Sequence, residues 1–256
     1  MASIFDRYGI KEVADVVFYQ LDGKGDPDYP VLYLDSLKIS TIEQTAENVS
    51  ARGGKGNPEL ITWDYNKEIT VTLEDALYSM KSMGVMFGDD NVGDNKTGVA
   101  DLYKTIYVNA ASGMTTSAII DLFDKKPNAT YEIAAIYKAG TTEAAIATGS
   151  TASISEAGQY FVSAKLTGGA VNGRIEISPN TFPGMYHVQG DTYGRSETTG
   201  EDELFIFIIH KAKVLSEVTL TMEAEGDPST FSMNLKVLRP AGNKPMMELI
   251  QYGKNA

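Results

Sequence analysis

The chain has 256 residues, of which 43% are hydrophobic and 22% are charged, and this is the composition of an ordinary globular protein. No apolar run approaches the roughly 20 residues of a membrane-spanning helix, and the absence of cysteine excludes disulfides, thiolate catalysis and cysteine-ligated metal. Lysine and arginine number 22 against 34 acidic residues, a formal charge of −12 that repels phosphate and argues against tight nucleic-acid binding.

The amino-terminal part predicts folding in a cytosol and two β-strands. Residues 1–7 lack the basic flank and apolar stretch of a secretion signal, so we expect synthesis in a cytosol. Residues 13–21 and 29–39 are rich in valine, tyrosine, leucine and isoleucine, which favour strands. The glycines and proline of residues 23–28 predict the loop that joins them.

A long polar segment follows at residues 41–66. It is longer than a tight hairpin turn requires, and it contains clustered glycines and Pro58. The sequence therefore predicts a long loop, with a tip formed by Arg52, Gly53, Gly54, Lys55, Gly56 and Asn57. A phosphate-binding loop is disfavoured, because its lysine is followed by serine or threonine, whereas Gly56 follows here.

An alternating strand and a helix are predicted next. Ile69, Val71 and Leu73 alternate with threonines, the pattern of a strand with one buried face. Apolar residues at 73, 76, 77 and 80 then follow helical spacing, and Thr72 is a candidate cap. The sequence predicts a short amphipathic helix that begins near residue 73.

The middle of the chain is rich in small residues. Residues 89–98 predict a loop and residues 102–108 a strand. From residue 125 to 173 alanine, threonine, glycine and serine dominate, with short strands predicted at 131–137, 144–147, 151–155 and 159–166. We interpret residues 125–173 as a small β insertion in one domain that spans residues 1–256.

The last third predicts strands most clearly. Residues 204–209 form a continuous apolar run, which is typical of a strand buried on both faces. Residues 218–222 and 231–237 alternate apolar and polar side chains, and the turn signal at 225–228 favours a hairpin between them. The predicted fold is mainly β, an antiparallel β-sandwich or barrel with one short flanking α-helix.

Candidate catalytic and metal-binding residues match known patterns poorly. His187 and His210 are far apart and outside any His-Glu-x-x-His arrangement, so each is predicted to be a hydrogen-bonded or surface histidine. Residues 89–95 resemble a calcium loop, but Ala100 stands where the bidentate glutamate belongs. Ser196 lacks the glycine spacing of a nucleophile elbow.

Carbohydrate chemistry is a second class of function. Acidic residues at 201–203 and at 223 and 225 could supply a glycosidase carboxylate pair, although solvated turns are the favoured interpretation. Trp63 and Tyr65 flank Asp64 and could stack on a sugar, although an aromatic anchor at a subunit contact is favoured. A carbohydrate-binding β-protein is therefore an alternative hypothesis.

Three segments carry a family resemblance. Arg-Gly-Gly-Lys-Gly-Asn at residues 52–57, the strand and helix region at 68–77, and residues 219–229 followed by Phe231 and Met233 are similar to tail tube proteins of tailed bacteriophages that infect Gram-positive hosts. Other virion structural proteins, capsid or neck proteins, are competing assignments.

The resemblance implies a tail-tube-like β-sandwich that forms rings, usually hexamers, stacked into a hollow tube that conducts DNA. Implied partners are further copies of the chain, other tail proteins, and transient DNA in the lumen without specific binding. No membrane, cofactor or metal is implied, and no enzymatic activity. The implied location is the virion tail, after assembly in the host bacterial cytoplasm.

Under this hypothesis, the polar segment at 41–66 contacts an adjacent ring, since polar loops can join subunits without exposing a hydrophobic patch beforehand. The acidic charge suits a lumen that does not bind phosphate. The candidate interface residues are Arg52, Gly53, Gly54, Lys55, Gly56, Asn57 and Trp63.

Overall fold

The computed structural model describes residues 7–89, 102–125, 128–141, 145–168, 173–218 and 230–252. The chain divides into two compact units, residues 1–92 with 175–256, and residues 93–174. The strands are β1 (Tyr8–Ile10), β2 (Asp15–Leu21), β3 (Pro27–Leu34), β4 (Leu37–Arg52), β5 (Glu59–Asp75), β6 (Leu102–Ala110), β7 (Ala129–Lys138), β8 (Gly158–Gly168), β9 (Met185–Ser196), β10 (Asp202–Val214), β11 (Phe231–Val237) and β12 (Met247–Tyr252). The helices are α1 (Met80–Phe87) and α2 (Thr116–Ile120).

The first unit is built on a nine-stranded sheet. Seven of its strands follow the order β3-β2-β9-β10-β11-β5-β4, and the other two are β1, which pairs with β9, and β12, which pairs with β10. Every strand pair in the described residues is antiparallel. Phe18 and Leu34 near one end of the sheet belong to the same buried cluster as Val71 near the other end. Because both ends share one core, the sheet folds over itself, and the predicted mainly β, sandwich-like fold is confirmed.

Alternation along the strands decides which side chains enter this core. Ile69, Val71 and Leu73 of β5 are buried, as are Met233 and Leu235 of the neighbouring β11. These residues follow the period-two patterns that the sequence predicted. In β10, by contrast, residues 204–209 are not uniformly buried, because full burial is confined to positions 207 and 209.

The prediction of a loop at residues 41–66 is wrong. These residues belong to β4 and β5, which pair from Leu37↔Asp75 to Arg52↔Glu59 and leave residues 53–58 as the turn. The sequence is polar because most of this hairpin is exposed on both faces. A strand that meets no core lacks the hydrophobic alternation by which strands are recognised.

The predicted helix start is also wrong. Residues 72–75 continue β5, and α1 begins only at Met80, after Ser79. Ser79 Oγ accepts a hydrogen bond from Ser82 N at 2.9 Å, which completes a capping box and fixes the helix start. The described residues hold two helices, where one was predicted, and the strand expected at 29–39 is interrupted after Leu34.

The second unit has a three-stranded sheet with the order β6-β8-β7, and α2 contributes to its core. The strands predicted at 102–108, 131–137 and 159–166 correspond to β6, β7 and β8. The two other short segments contribute single bridges, Ile136↔Ala147 and Met114↔Ile154. This unit begins at residue 93 and so includes β6, whereas the description of the chain as one domain with an insertion at 125–173 stays a prediction.

Some predictions fall on residues that the structure does not describe. They are most of the loop at 89–98, nearly all of the strand at 218–222 and the turn at 225–228. Within the described residues, β11 pairs with β10 and β5.

Candidate functional site

The hairpin of β4 and β5 contains every predicted interface residue. Its turn requires unusual backbone angles, since Gly54, Gly56 and Asn57 all have positive φ, at 86°, 86° and 51°. Gly53 N donates to Pro58 O at 3.1 Å and closes the turn. The clustered glycines are therefore explained by chain reversal, because glycine adopts this backbone region without a Cβ clash.

The hairpin has an inner part on the core and an outer part away from it. In the inner part, Leu37 and residues 69, 71 and 73 are buried. Residues 46–66, which we call the outer hairpin, include no buried side chain. The outer hairpin therefore gains no stability from the core and extends from it.

One face of the outer hairpin is hydrophobic. Val49 lies opposite Trp63, Ala51 opposite Ile61, and Glu47 opposite Tyr65, so these side chains share a face. Its large apolar members, the apolar face, are about half exposed: Val49 54%, Ile61 54%, Trp63 53% and Tyr65 51%. Exposed apolar surfaces of this kind are typical of interaction sites, so the apolar face is a candidate contact site.

The opposite face is polar and internally bonded. Ser50 Oγ donates to Glu59 Oε1 at 2.7 Å, Arg52 pairs with Glu59 Oε2 at 3.1 Å, and Thr62 also donates to Glu59. The hydrogen bonds from Thr62 and Ser50 lower the pKa of Glu59. This carboxylate therefore holds three side chains at the end of the hairpin in place.

A β-bulge at Asn66 decides which face is apolar. Thr45 pairs with Glu68 and Glu47 with Tyr65, so one residue of β4 faces two of β5. Asn66 has a φ of 51°, and its Nδ2 donates to Glu47 Oε1 at 2.8 Å. Hydrogen bonds from the side chains of Asn66 and Tyr65 lower the pKa of Glu47. The extra residue moves the odd positions of β5 from the core side to the opposite side.

The free edge of β4 is a second feature of this site. In the described sheet, β4 is the last strand at one end and β3 is the last strand at the other. β3 contains Pro27 and Pro30, and proline is typical of edge strands because it lacks the N–H group that pairing needs. The 16 residues of β4 contain no proline, so this edge is open to pairing with another strand.

The structure brings all predicted interface residues together. Arg52 ends β4, positions 53–57 form the turn, and Trp63 lies on the apolar face. The sequence analysis did not name Val49 and Ile61, which share this face with Trp63. The spacing of Ile61, Trp63 and Tyr65 at every second residue was an available signal, but it was hidden by the assignment of this segment to a loop.

The two histidines form a cluster that the sequence did not predict. His187 on β9 and His210 on β10 have ring centroids 5.6 Å apart, and His210 Nε2 lies 2.6 Å from Glu248 Oε1. His187 is 6% exposed, and its Nδ1 is buried without a hydrogen-bond partner. Burial, followed by the proximity of His210, lowers the pKa of His187. Among the described residues, no group of His, Asp or Glu side chains is arranged to hold a metal ion.

Other candidate residues have structural partners. Ser196 Oγ accepts hydrogen bonds from Thr198 N and Thr199 N at 3.3 and 3.2 Å, so it caps a turn. Asp202 forms a two-pronged ion pair with Arg195 at 2.7 and 2.8 Å. Asp89 is buried and accepts from the amide of residue 176, while the rest of the calcium-like segment and the acidic residues at 223 and 225 lie outside the described residues.

Three further findings concern the whole chain. In the part of the chain that the structure describes, every helix is too short or too polar to cross a bilayer. A comparison with curated proteins finds no match. The model of one protein family, described as the YomU/Tube protein family, matches residues 8–249.

Proposed function

The chain belongs to the YomU/Tube protein family and is a structural protein of the phage tail tube, and we propose that it performs this role by assembling with its own copies into stacked rings. The rings form the hollow tube through which DNA passes. The role is mechanical, and no catalytic step is assigned to the chain.

One observation carries the proposal: the outer hairpin extends from the core and exposes an apolar face. A monomer keeps Ile61, Trp63 and their neighbours on this face in water, which is unfavourable for large apolar side chains. Packing of this face against another copy removes it from water. The free edge of β4 offers backbone groups for the same contact.

A tube of stacked rings requires contacts that repeat from copy to copy. In this proposal the outer hairpin of one copy therefore binds a different surface of the next copy. Such heterologous contacts close into rings or repeat along an axis. Six copies per ring is the number that the family resemblance implies.

The charge of the chain supports passage of DNA without binding. A net charge of −12 repels phosphate, so a lumen built from this chain does not retain DNA. Further partners in this proposal are the other proteins of the tail. The location is the virion tail, reached after assembly in the host cytoplasm.

The test replaces residues 46–67, which lie between the paired Thr45 and Glu68, by a two-residue Asn-Gly turn, which suits a hairpin. We expect tubes or rings from the unaltered protein at high concentration in negative-stain electron microscopy. The shortened protein should remain folded, because it loses no buried side chain, and should stay monomeric. Tubes from the shortened protein, or a monomeric unaltered protein under all conditions, would refute the proposal.

A further inference from the structure

The sheet of the second unit has one packed face and one open face. Alternate residues such as Val162, Tyr160 and Ile136 enter the core that α2 helps to form. The residues between them lie on the other face, where Tyr107, Phe161 and Tyr137 are 53%, 45% and 44% exposed. This open face belongs to the second unit, whereas the hairpin belongs to the first.

An aromatic row crosses all three strands of the open face. Phe161 in the central strand β8 is in register with Tyr107 on β6 and with Tyr137 on β7. The rings of Tyr107 and Phe161 are 4.8 Å apart between centroids. Tyr137 continues this pair on the third strand, so the three side chains form an apolar strip across the sheet.

Uncharged hydrogen-bonding groups lie on both sides of the row. On one side Asn109 is in register with Gln159, and on the other Thr105 is in register with Ser163. The hydroxyl of Tyr107 donates to Gln159 Oε1 at 2.6 Å, which fixes the amide beside the row. The row is thus bordered by amide and hydroxyl groups that both donate and accept hydrogen bonds.

The open face carries balanced charge. Its charged residues in β6, β7 and β8 are Glu132 and Lys165, which lie opposite each other in register. The chain as a whole has a formal charge of −12. A neutral surface on an acidic protein is suited to an uncharged ligand, and it lacks the basic groups that a nucleic acid requires.

The dimensions of the open face favour a slender ligand over a protein. Three strands about 4.8 Å apart and about nine residues long give a face of roughly 15 by 30 Å, or about 450 Å². A stable protein interface buries about 800 Å² on each partner. A second copy of the chain would therefore be held weakly, whereas an oligosaccharide needs a strip of this width.

We propose that the open face of the second unit binds an uncharged oligosaccharide. Sugar rings stack on Tyr107, Phe161 and Tyr137 through their apolar faces, and sugar hydroxyls bond to the amides and hydroxyls beside the row. The sugar platform considered at Trp63 is a different place, on the hairpin of the first unit.

Isothermal titration of the full chain with the tetramers of N-acetylglucosamine and of glucose tests this proposal. We expect saturable binding of at least one tetramer, weakened about tenfold or more by Phe161→Ala and by Tyr137→Ala. Trp63→Ala is the control and should bind within about twofold of the unaltered protein.

Three results would overturn the proposal. The first is that neither tetramer binds at about 10 mM. The second is that the Phe161→Ala and Tyr137→Ala proteins, shown to be folded by circular dichroism, bind as tightly as the unaltered protein. The third is that only Trp63→Ala loses binding. None of these results depends on whether tubes form, so they leave the proposed structural role unaffected.

Discussion

The apolar face of the outer hairpin should set the concentration at which the protein assembles. We consider the double variant Ile61→Thr with Trp63→Thr, since threonine preserves strand propensity. The two side chains are 54% and 53% exposed in the subunit. Full burial of a large apolar side chain contributes about 1.5–3 kcal/mol, so covering the exposed half contributes about 1 kcal/mol for each residue.

The loss of about 2 kcal/mol for each contact should raise the critical concentration for assembly about 30-fold. Sedimentation of polymer over a range of concentrations measures this quantity. The free energy of unfolding should fall by no more than about 2 kcal/mol, because the half of each side chain that the subunit already covers contributes about 1 kcal/mol.

A matched control lies on the opposite face of the same hairpin. Asn48 and Asp64 are directly paired there, and Asn48→Thr with Asp64→Asn should leave the critical concentration nearly unchanged. Equal critical concentrations for the apolar-face variant and the unaltered protein would refute the reasoning. An equal increase of the critical concentration in the apolar-face variant and in the control variant would also refute it.

Three further predictions concern stability. Gly190→Ala should lower the free energy of unfolding by about 1–3 kcal/mol, because an added Cβ would lie 2.3 Å from the ring of Phe207. Gly23→Ala, where the added Cβ meets open space, is the control, and equal melting temperatures would contradict this packing. Ser79→Ala should cost about 1 kcal/mol in urea denaturation through loss of the α1 capping box, and an unchanged midpoint would show that the cap contributes nothing. Burial lowers the pKa of His187, so below about pH 6.5 the folded state binds fewer protons than the unfolded chain. The free energy of unfolding should therefore fall as the pH drops from about 6.5, and it should fall less steeply in His187→Gln. The same dependence on pH in both proteins would show that His187 is not its cause.

Much of the core was predictable from alternation. Val71 and Leu235 lie in strands whose apolar residues recur at every second position, and both are buried. The histidine pair was not predictable in this way. His187 and His210 meet because β9 and β10 are neighbours in the sheet, and sequence separation contains no information about strand neighbours.

The helix start shows how local signals compete. The apolar residues from 73 onward have helical spacing, but residues 72–75 pair with β4 on one side and with β11 on the other. Two rows of backbone hydrogen bonds and the burial of Leu73 outweigh a weak local preference for helix. The helix begins where this pairing has ended and Ser79 can cap it.

The sequence by itself determined the fold class, the core alternation and the family resemblance, because these depend on residue types at fixed local spacing. It also placed the candidate interface at residues 52–57 and Trp63. The tertiary structure alone decided that this segment is a hairpin and which way it faces. In β5, Ile69 and Tyr65 are both odd-numbered and would share one face of a regular strand. The bulge at Asn66 separates them, so that Ile69 enters the core and Tyr65 joins the exposed apolar face.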